Sequence, residues 1–374
     1  MALSTREFDL VIVGCGLFGA TIAQQFIQNN RKVLILDKRP HIGGNVYTEL
    51  VEGIQVHRYG AHIFHTSNQK IWQYVNQFSR FNHFVNRPKV RYQNQLYSFP
   101  INLMTLSQLW GVTTPEEAKK KLETVRIPCD SPRNLEDWIL SQVGKEIYET
   151  FIKGYTQKQW GRPPAQLPAF IIKRLPIRLT FDDNYFNDPY QGIPIGGYTP
   201  MIQAMIQGAT LELGVDFFSD REVYRARGKR LVFTGSIDAY FNHCFGHLDY
   251  RSLRFSTQTL PQEDFQGNAV INYTEEKVPF TRILEHKHFE FSPPSPKTVI
   301  THEYPQAWTP EREPYYPIND ETNMRLFHKY KALADQEKDV FFGGRLAEYR
   351  YYDMHQVIAS ALSAAKNMLH FHSL

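Results

Sequence analysis

The chain has 374 residues, 42 Lys+Arg against 38 Asp+Glu, and a formal charge of +4. That length passes the range over which one hydrophobic core keeps growing, so two or three domains are expected, and the near-balanced charge argues against nucleic acid as a partner. Three scattered cysteines (Cys15, Cys129 and Cys244) argue against a disulfide framework or a structural zinc cluster, and no run approaches the roughly 18 apolar residues of a membrane span.

The start of the chain carries Arg6, Glu7 and Asp9 before a short apolar run and lacks a signal-peptide pattern; the expected setting is soluble and cytoplasmic. Phe8 to Val13 reads as a strand buried on both faces of a parallel sheet. It runs into Gly14-Cys15-Gly16-Leu17-Phe18-Gly19, then a helical stretch from Ala20 to Gln28 and a second strand from Lys32 to Leu36 that ends at Asp37. This is one βαβ unit, with a ligand expected at the carboxyl ends of its strands. From Leu103 to Val143 the pattern is mostly helical, with Thr114-Pro115-Glu116-Glu117 as a helix start. β-Formers dominate from Thr180 to Ile195 and from Leu248 to Tyr304. Val340 to Phe342 is a short strand meeting Gly343-Gly344, and a helix follows from Met354 to Met368 with Ile358, Ala359, Leu362 and Ala365 on its apolar stripe. The chain returns to its first domain, so discontinuous domains are expected.

Gly14-x-Gly16-x-x-Gly19 is the dinucleotide fingerprint. Its glycines permit the tight turn, the approach of backbone to a pyrophosphate and close helix–strand packing, and the following helix offers unpaired N–H groups to the phosphates. Asp37 stands at the distance expected of the acid that takes a ribose hydroxyl. Paired glycines at Gly43-Gly44, just after the second strand, and a second glycine turn at Phe341 to Arg345 are similar to features of FAD proteins of the glutathione-reductase and amine-oxidase type. With no second GxGxxG, FAD is favoured over NAD.

Longer motifs resemble one family. Tyr59-Gly60-Ala61-His62-Ile63-Phe64-His65-Thr66 is similar to a signature of bacterial UDP-galactopyranose mutases, as are Lys153 to Gly161, Phe170 to Pro176, Asp183 to Phe186 with Tyr190 to Pro194, Gly267 to Asn272, and Gly343 to Gln356. The resemblance covers essentially the whole chain. It implies an α/β fold: an FAD-binding Rossmann-like domain (residues 1–78, 196–246 and 317–374) with an inserted helical domain carrying a mobile lid (100–178) and an antiparallel β-sheet domain (79–99, 179–195 and 247–316). It further implies interconversion of UDP-galactopyranose and UDP-galactofuranose. In the family's mechanism the N5 of reduced FAD attacks the anomeric carbon, UDP leaves, and a flavin–sugar iminium opens and recloses. The other partner implied is an external reductant, and a homodimer is expected.

By the same resemblance Arg174 and Arg282 stabilise the departing diphosphate, for which arginine offers forked, permanently charged donors. Tyr185, Tyr316 and Tyr351 are expected UDP contacts, with Tyr349 in the same patch. Phe151, Tyr155, Thr156 and Trp160 offer a stacking face for uracil and a hydroxyl for ribose, and Gly161-Arg162-Pro163-Pro164, with its hinge-like glycine and rigid prolines, is by the same resemblance a mobile lid over the nucleotide. Asn86 and Asn272 are expected sugar contacts. Beside the fingerprint glycines, the cofactor side is assigned to Phe18, Asp37, Lys38, Gly43, Gly44, Asn45, His62, Ile63, Asp216, Phe217, Arg345, Tyr352, Asp353, Met354, His355, Gln356 and Val357. His62 is the candidate for proton transfer, with His65 near it.

No carboxylate pair stands out as the nucleophile and acid that sugar hydrolysis needs, and a cofactor nucleophile removes that requirement. Two rivals remain at this point: an FAD oxidoreductase of the amine-oxidase type, and a nucleotide sensor that binds UDP-sugar without turnover. An amine substrate would not need the Arg and Tyr set with Trp160.

Overall fold

Phe8–Val13 forms the strand that its largely apolar run, broken only by Asp9, predicts, and it lies in the middle of a five-stranded sheet. The computed structural model describes residues 6–172, 175–291 and 294–370. Strand order in this sheet is Val340–Phe342, Gly228–Phe233, Phe8–Val13, Val33–Asp37, Thr210–Leu213, every pair parallel. Val11 sits opposite Leu231 on one side and Leu34 on the other. Leu10 and Ile12 bury against Ala20, Ile22, Ala361 and Ala365 of helices Leu17–Gln28 and Met354–His370, which pack together on that face. Val11, Leu34 and Leu36 face the other way, onto Phe217, Phe233 and Tyr240. Both faces are covered, which is why the strands carry no polar alternation.

Three boundaries differ from the sequence reading. The first helix begins at Leu17 rather than Ala20, capped by Gly16 with no side chain; glycines carry no apolar signal, so the periodicity missed its first turn. The second strand is Val33–Asp37, one residue later than expected. On the last helix Ala359 is exposed, and the buried stripe runs through Val357, Ile358, Ala361, Ala365 and Met368 instead.

A seven-stranded sheet stands beside the first, in the order Tyr316–Pro317, Tyr250–Leu260, Thr298–Ala307, Arg282–Glu285, Val270–Tyr273, Lys89–Tyr92, Gln95–Ser98. It is antiparallel except where Val270–Tyr273 runs parallel to Lys89–Tyr92. Those two strands are far apart in sequence, so no hairpin dictates their direction. The stretch from Thr180 to Ile195 departs from its β reading: only Tyr190–Gly192 is a strand, paired with Phe64–Thr66. Asp182 turns the chain by accepting from the Asn184 N–H at 3.0 Å, and this local polar bond outweighs the β propensity of the Tyr and Phe that follow.

Helices Leu103–Trp110, Pro115–Val125, Leu135–Ile147 and Gly154–Trp160 form a third layer around Leu106, Leu122, Ile139, Val143 and Ile147. Thr114 caps the second of them in a capping box with Glu117, as its sequence predicts. Val90, Tyr97 and Phe99 join this core from the end of the large sheet, so the helices roof one side of a cleft floored by the two sheets.

Candidate active site

The carboxyl ends of the parallel strands open onto a cavity of about 440 Å³ whose wall includes Gly14, Gly16, Phe18, Gly19, Asp37, Lys38, Gly43, Gly44, Asn45, Asp216 and Phe217. Its shape is made by missing side chains. Gly14 has φ +108°, and a Cβ there would stand 2.0 Å from Thr234 Oγ1; a Cβ on Gly44 would lie 3.0 Å from Gly16 Cα. Backbone thus faces the cavity where a pyrophosphate needs to approach, and no side chain caps the first turn of Leu17–Gln28, which leaves its N–H groups free for an anion. Arg39 adds a donor. Its Nη2 bonds Asn45 Oδ1 at 3.0 Å and Glu313 Oε2 at 3.1 Å, its guanidinium carbon lies 4.2 Å over Tyr59, and its Nη1 is buried without a partner among the described residues. Lys38 reaches the same Glu313 at 2.8 Å. Asp37, expected to take a ribose hydroxyl, also orders the turn, accepting from the Cys15 N–H at 2.7 Å and the Arg39 N–H at 2.9 Å; a carboxylate keeps further lone pairs for a ligand. These residues fit a dinucleotide.

A second cavity of about 560 Å³ adjoins the first, and the two share Asn45, His62, Arg345, Tyr352 and Met354. Asn86, Phe151, Tyr155, Thr156, Trp160, Tyr185, Asn272, Arg282, Tyr316 and Tyr351, scattered over 265 positions in sequence (351 − 86), all line it. Arg174 lies outside the described residues. Arg282 begins the Arg282–Glu285 strand and is held by a single oxygen of Glu303, with Nε at 2.9 Å and Nη2 at 2.8 Å. Burial opposes its charge, yet Glu303, with Tyr155 and Tyr316, holds the guanidinium above its ordinary value. Burial raises the Tyr155 and Tyr316 phenols, so both are neutral donors at neutral pH. Asn272 is the strand partner of Arg282, and the Asn86 N–H donates to Gln191 Oε1 at 3.3 Å.

Trp160 ends the helix Gly154–Trp160, which Gly161 closes in a left-handed turn. Lys158 pins this helix to the large sheet, donating to the carbonyls of Tyr273 (2.7 Å), Phe280 (2.9 Å) and Val278 (3.0 Å); burial lowers its pKa to about 8. Arg251 Nε donates to Gln159 O at 2.9 Å.

His62 stands at the join. Its Nδ1 lies 2.8 Å from Gly60 O; a carbonyl only accepts, so Nδ1 carries the proton and Nε2 is an acceptor. Burial, with Arg345 and Arg282 adding to it against the Gly60 bond, lowers its pKa to about 4. Arg345 donates to Tyr315 O at 2.8 Å, lies 5.1 Å over Tyr351, and keeps a buried Nε without a partner among the described residues.

The remaining assignments distribute unevenly. Ile63 lines the second cavity rather than the first, Asp353 does the same, and Val357 lines the first. His355 and Gln356 stand off both walls: the His355 ring sits edge-on to His65, and Gln356 Oε1 accepts from the Asp353 N–H at 2.9 Å. His65 is paired with Asp188 at 2.6 Å and stacked on Phe186. Sequence reasoning missed Arg39, Lys158, Glu303 and Glu313. Their signal was weak, since each is a single charged residue, Lys158 on a helix, Glu303 on a strand and Arg39 and Glu313 in loops, where a solvated side chain is the ordinary reading.

Residues 150–351 match the sequence-family model described as UDP-galactopyranose mutase, and residues 12–78 match the NAD(P)-binding Rossmann-like domain. The chain is 43% identical to a Klebsiella pneumoniae protein described as "Probable UDP-galactopyranose mutase", over 96% of this chain and 94% of that one. It is 39% identical to the dTDP-fucopyranose mutase of Escherichia coli, over 96% and 97%. In structure it is similar to a reduced UDP-galactopyranose mutase, with a TM-score of 0.76 and 16% identity over 98% of this chain and 95% of that one, a likeness of fold. With two cavities meeting at a histidine and an arginine, and relatives that span nearly its whole length, the chain belongs to the UDP-galactopyranose mutase family of isomerases.

Proposed function

We propose that the chain interconverts UDP-galactopyranose and UDP-galactofuranose, with FAD in the first cavity and the sugar nucleotide in the second. The observation that carries this reading is that the two cavities meet at His62 and Arg345 beside the Arg282–Glu303 pair, so a diphosphate in one can leave from a centre facing the other. Bound and reduced by an external donor, the flavin supplies electron density for a redox-neutral exchange at the anomeric carbon. The protein's own part is then binding and charge. Arg282, oriented by Glu303, follows the negative charge that develops on the leaving diphosphate, and Tyr155 and Tyr316 add neutral donors that a substrate can meet without a second desolvated ion. Arg174 joins it by family resemblance. Phe151, Thr156 and Trp160 hold the nucleoside, and the Gly161–Pro164 loop acts as a mobile lid that closes over it and excludes water. His62 accepts a hydrogen bond through Nε2 and is a base rather than an acid at neutral pH. The three-domain division given by the sequence is retained with this assignment, as are a cytoplasmic setting and a homodimer.

The 39% identical dTDP-fucopyranose mutase supports a second reading with the same chemistry on another nucleotide. One experiment addresses both: purified protein is given UDP-galactofuranose or dTDP-fucofuranose, with and without dithionite, and pyranose product is followed by chromatography. Conversion of the UDP-sugar in reduced samples alone is expected. Preference for the dTDP-sugar would shift the substrate, and conversion of neither by flavin-loaded protein would overturn the reading.

A further inference from the structure

The wall between the cavities hangs on histidines that the proposed reaction does not use. His57, 1% exposed, ends the strand Ile54–His57. Its Nδ1 accepts from the His62 N–H at 3.2 Å, and its own N–H donates to His286 Nδ1 at 3.2 Å. His286 Nε2 reaches Thr301 Oγ1 at 2.8 Å, which meets Thr257 Oγ1 at 2.8 Å. A backbone amide only donates, so Nδ1 of both rings is unprotonated and both are neutral with the proton on Nε2.

The chain ends where the reaction needs its charges placed. Thr301 and Glu303 are two residues apart on one strand, Thr298–Ala307, and so share a face; Glu303 is the partner of Arg282. The Arg58–Ile63 loop meets that pair again at Gly60, where a Cβ would lie 3.2 Å from Glu303 Oε2. Tyr198 O–H donates to His62 O at 3.0 Å, and its ring meets His57 edge-on, while Phe289 stacks on His57 at 4.7 Å. The imidazole is clamped, with one nitrogen aimed at the His62 amide.

We propose that His57, supported by His286, is a positioning residue for the proposed mutase reaction: its unprotonated Nδ1 fixes the His62 backbone, and so places the His62 ring between the cavities in register with the Arg282–Glu303 pair. The inference rests on the functional reading above for its consequence in turnover, though the hydrogen bond stands apart from it. Burial lowers His57 well below its ordinary value and His286 to about 3, in keeping with rings that serve as acceptors.

The test uses the full chain with FAD bound. Histidine-labelled wild-type protein is examined by nitrogen NMR at pH 7, where His57 and His286 are expected as Nε2–H tautomers; an Nδ1–H or doubly protonated ring at His57 overturns the proposal. H57L then removes the acceptor at similar volume, and H57N keeps one near the Nδ1 position. H57L is expected to lower kcat roughly 10- to 100-fold, the scale of a misplaced catalytic geometry, with KM nearly unchanged and the visible flavin spectrum shifted. H57N should recover most of both. Equal effects of the two variants, or none, overturn the proposal. If H57L does not fold, the tautomer measurement with H57N decides. If wild-type protein proves inactive on both sugar nucleotides, the functional reading fails, while the tautomers and the flavin spectra of the variants still test the positioning of His62.

Discussion

Arg282 brings a permanent positive charge into a partly buried wall, and Glu303 answers it with a side chain only 1% exposed. Removing one member of such a pair leaves an uncompensated charge, and the loss is about 3–5 kcal/mol. E303L is therefore expected to unfold at lower temperature than wild type, and UDP should restore more of the lost melting temperature in that variant than it adds to wild type, because the diphosphate supplies the missing negative charge. A smaller or equal UDP shift in calorimetry would show that Arg282 does not face the nucleotide. R282A is expected to lower kcat by about 10²–10³, the magnitude seen when one preorganised donor to a developing anion is removed, while the visible spectrum shows FAD still bound. Arg282 was legible in the sequence through the family motif around it. Glu303 was not: in Thr301-His302-Glu303-Tyr304 it reads as one polar residue among others, and only the strand register that sets it opposite Arg282 reveals a buried counter-ion.

The elements divide by the kind of signal that specifies them. Phe8–Val13 and Val340–Phe342 stand where the sequence places them, since short apolar runs between turn residues admit little else, and the Thr114 capping box fixes Pro115–Val125 in the same local way. The region after Thr180 was misread because its aromatic residues serve the cavity rather than a strand: Tyr185 and Phe186 line the second cavity. The helix Gly154–Trp160 lines the second cavity where the sequence expected a ligand-facing segment, but its anchor was not legible, because the carbonyls that Lys158 bonds lie more than 100 residues away. That anchor makes a prediction at the scale of the element. K158M keeps the aliphatic stem and removes all three bonds, each worth about 1 kcal/mol net. The helix should then sample other positions, raising the dissociation constant for UDP roughly tenfold by titration calorimetry while the flavin spectrum of the free protein is unchanged. Unaltered UDP affinity would mean that Trp160 and its neighbours are placed by the helical core alone.

At the scale of the molecule, the join between the sheets is built on neutral imidazoles. His57, His62 and His286 are all lowered from 6.5 by burial, His62 to about 4 and His286 to about 3. A histidine lowered on folding binds its proton more readily in the unfolded chain, so its contribution to stability is present above pH 6.5 and is lost as pH falls toward the folded value. Each such group changes stability by up to about 1.4 kcal/mol per pH unit inside that window, and three acting together give a slope of roughly 4 kcal/mol per unit. Glu285, lowered from 4.5 to about 2, acts in the same direction but later, losing its contribution only below pH 4.5, whereas Glu290 and Glu348, raised by burial, act the opposite way. The melting temperature should therefore begin to fall between pH 6.5 and 5, before the Glu285 contribution is lost. Loss of flavin from its cavity should accompany it, because His62 stands in the shared wall and its protonation places a third positive charge beside those of Arg345 and Arg282. Replacing His286, the most distant of the three from the cavities along the chain of bonds, with glutamine should flatten the slope between pH 6.5 and 5 by up to about 1.4 kcal/mol per pH unit, the share of one histidine. An unchanged slope in H286Q would mean that the imidazoles are not what makes the folded protein sensitive to acid in that range.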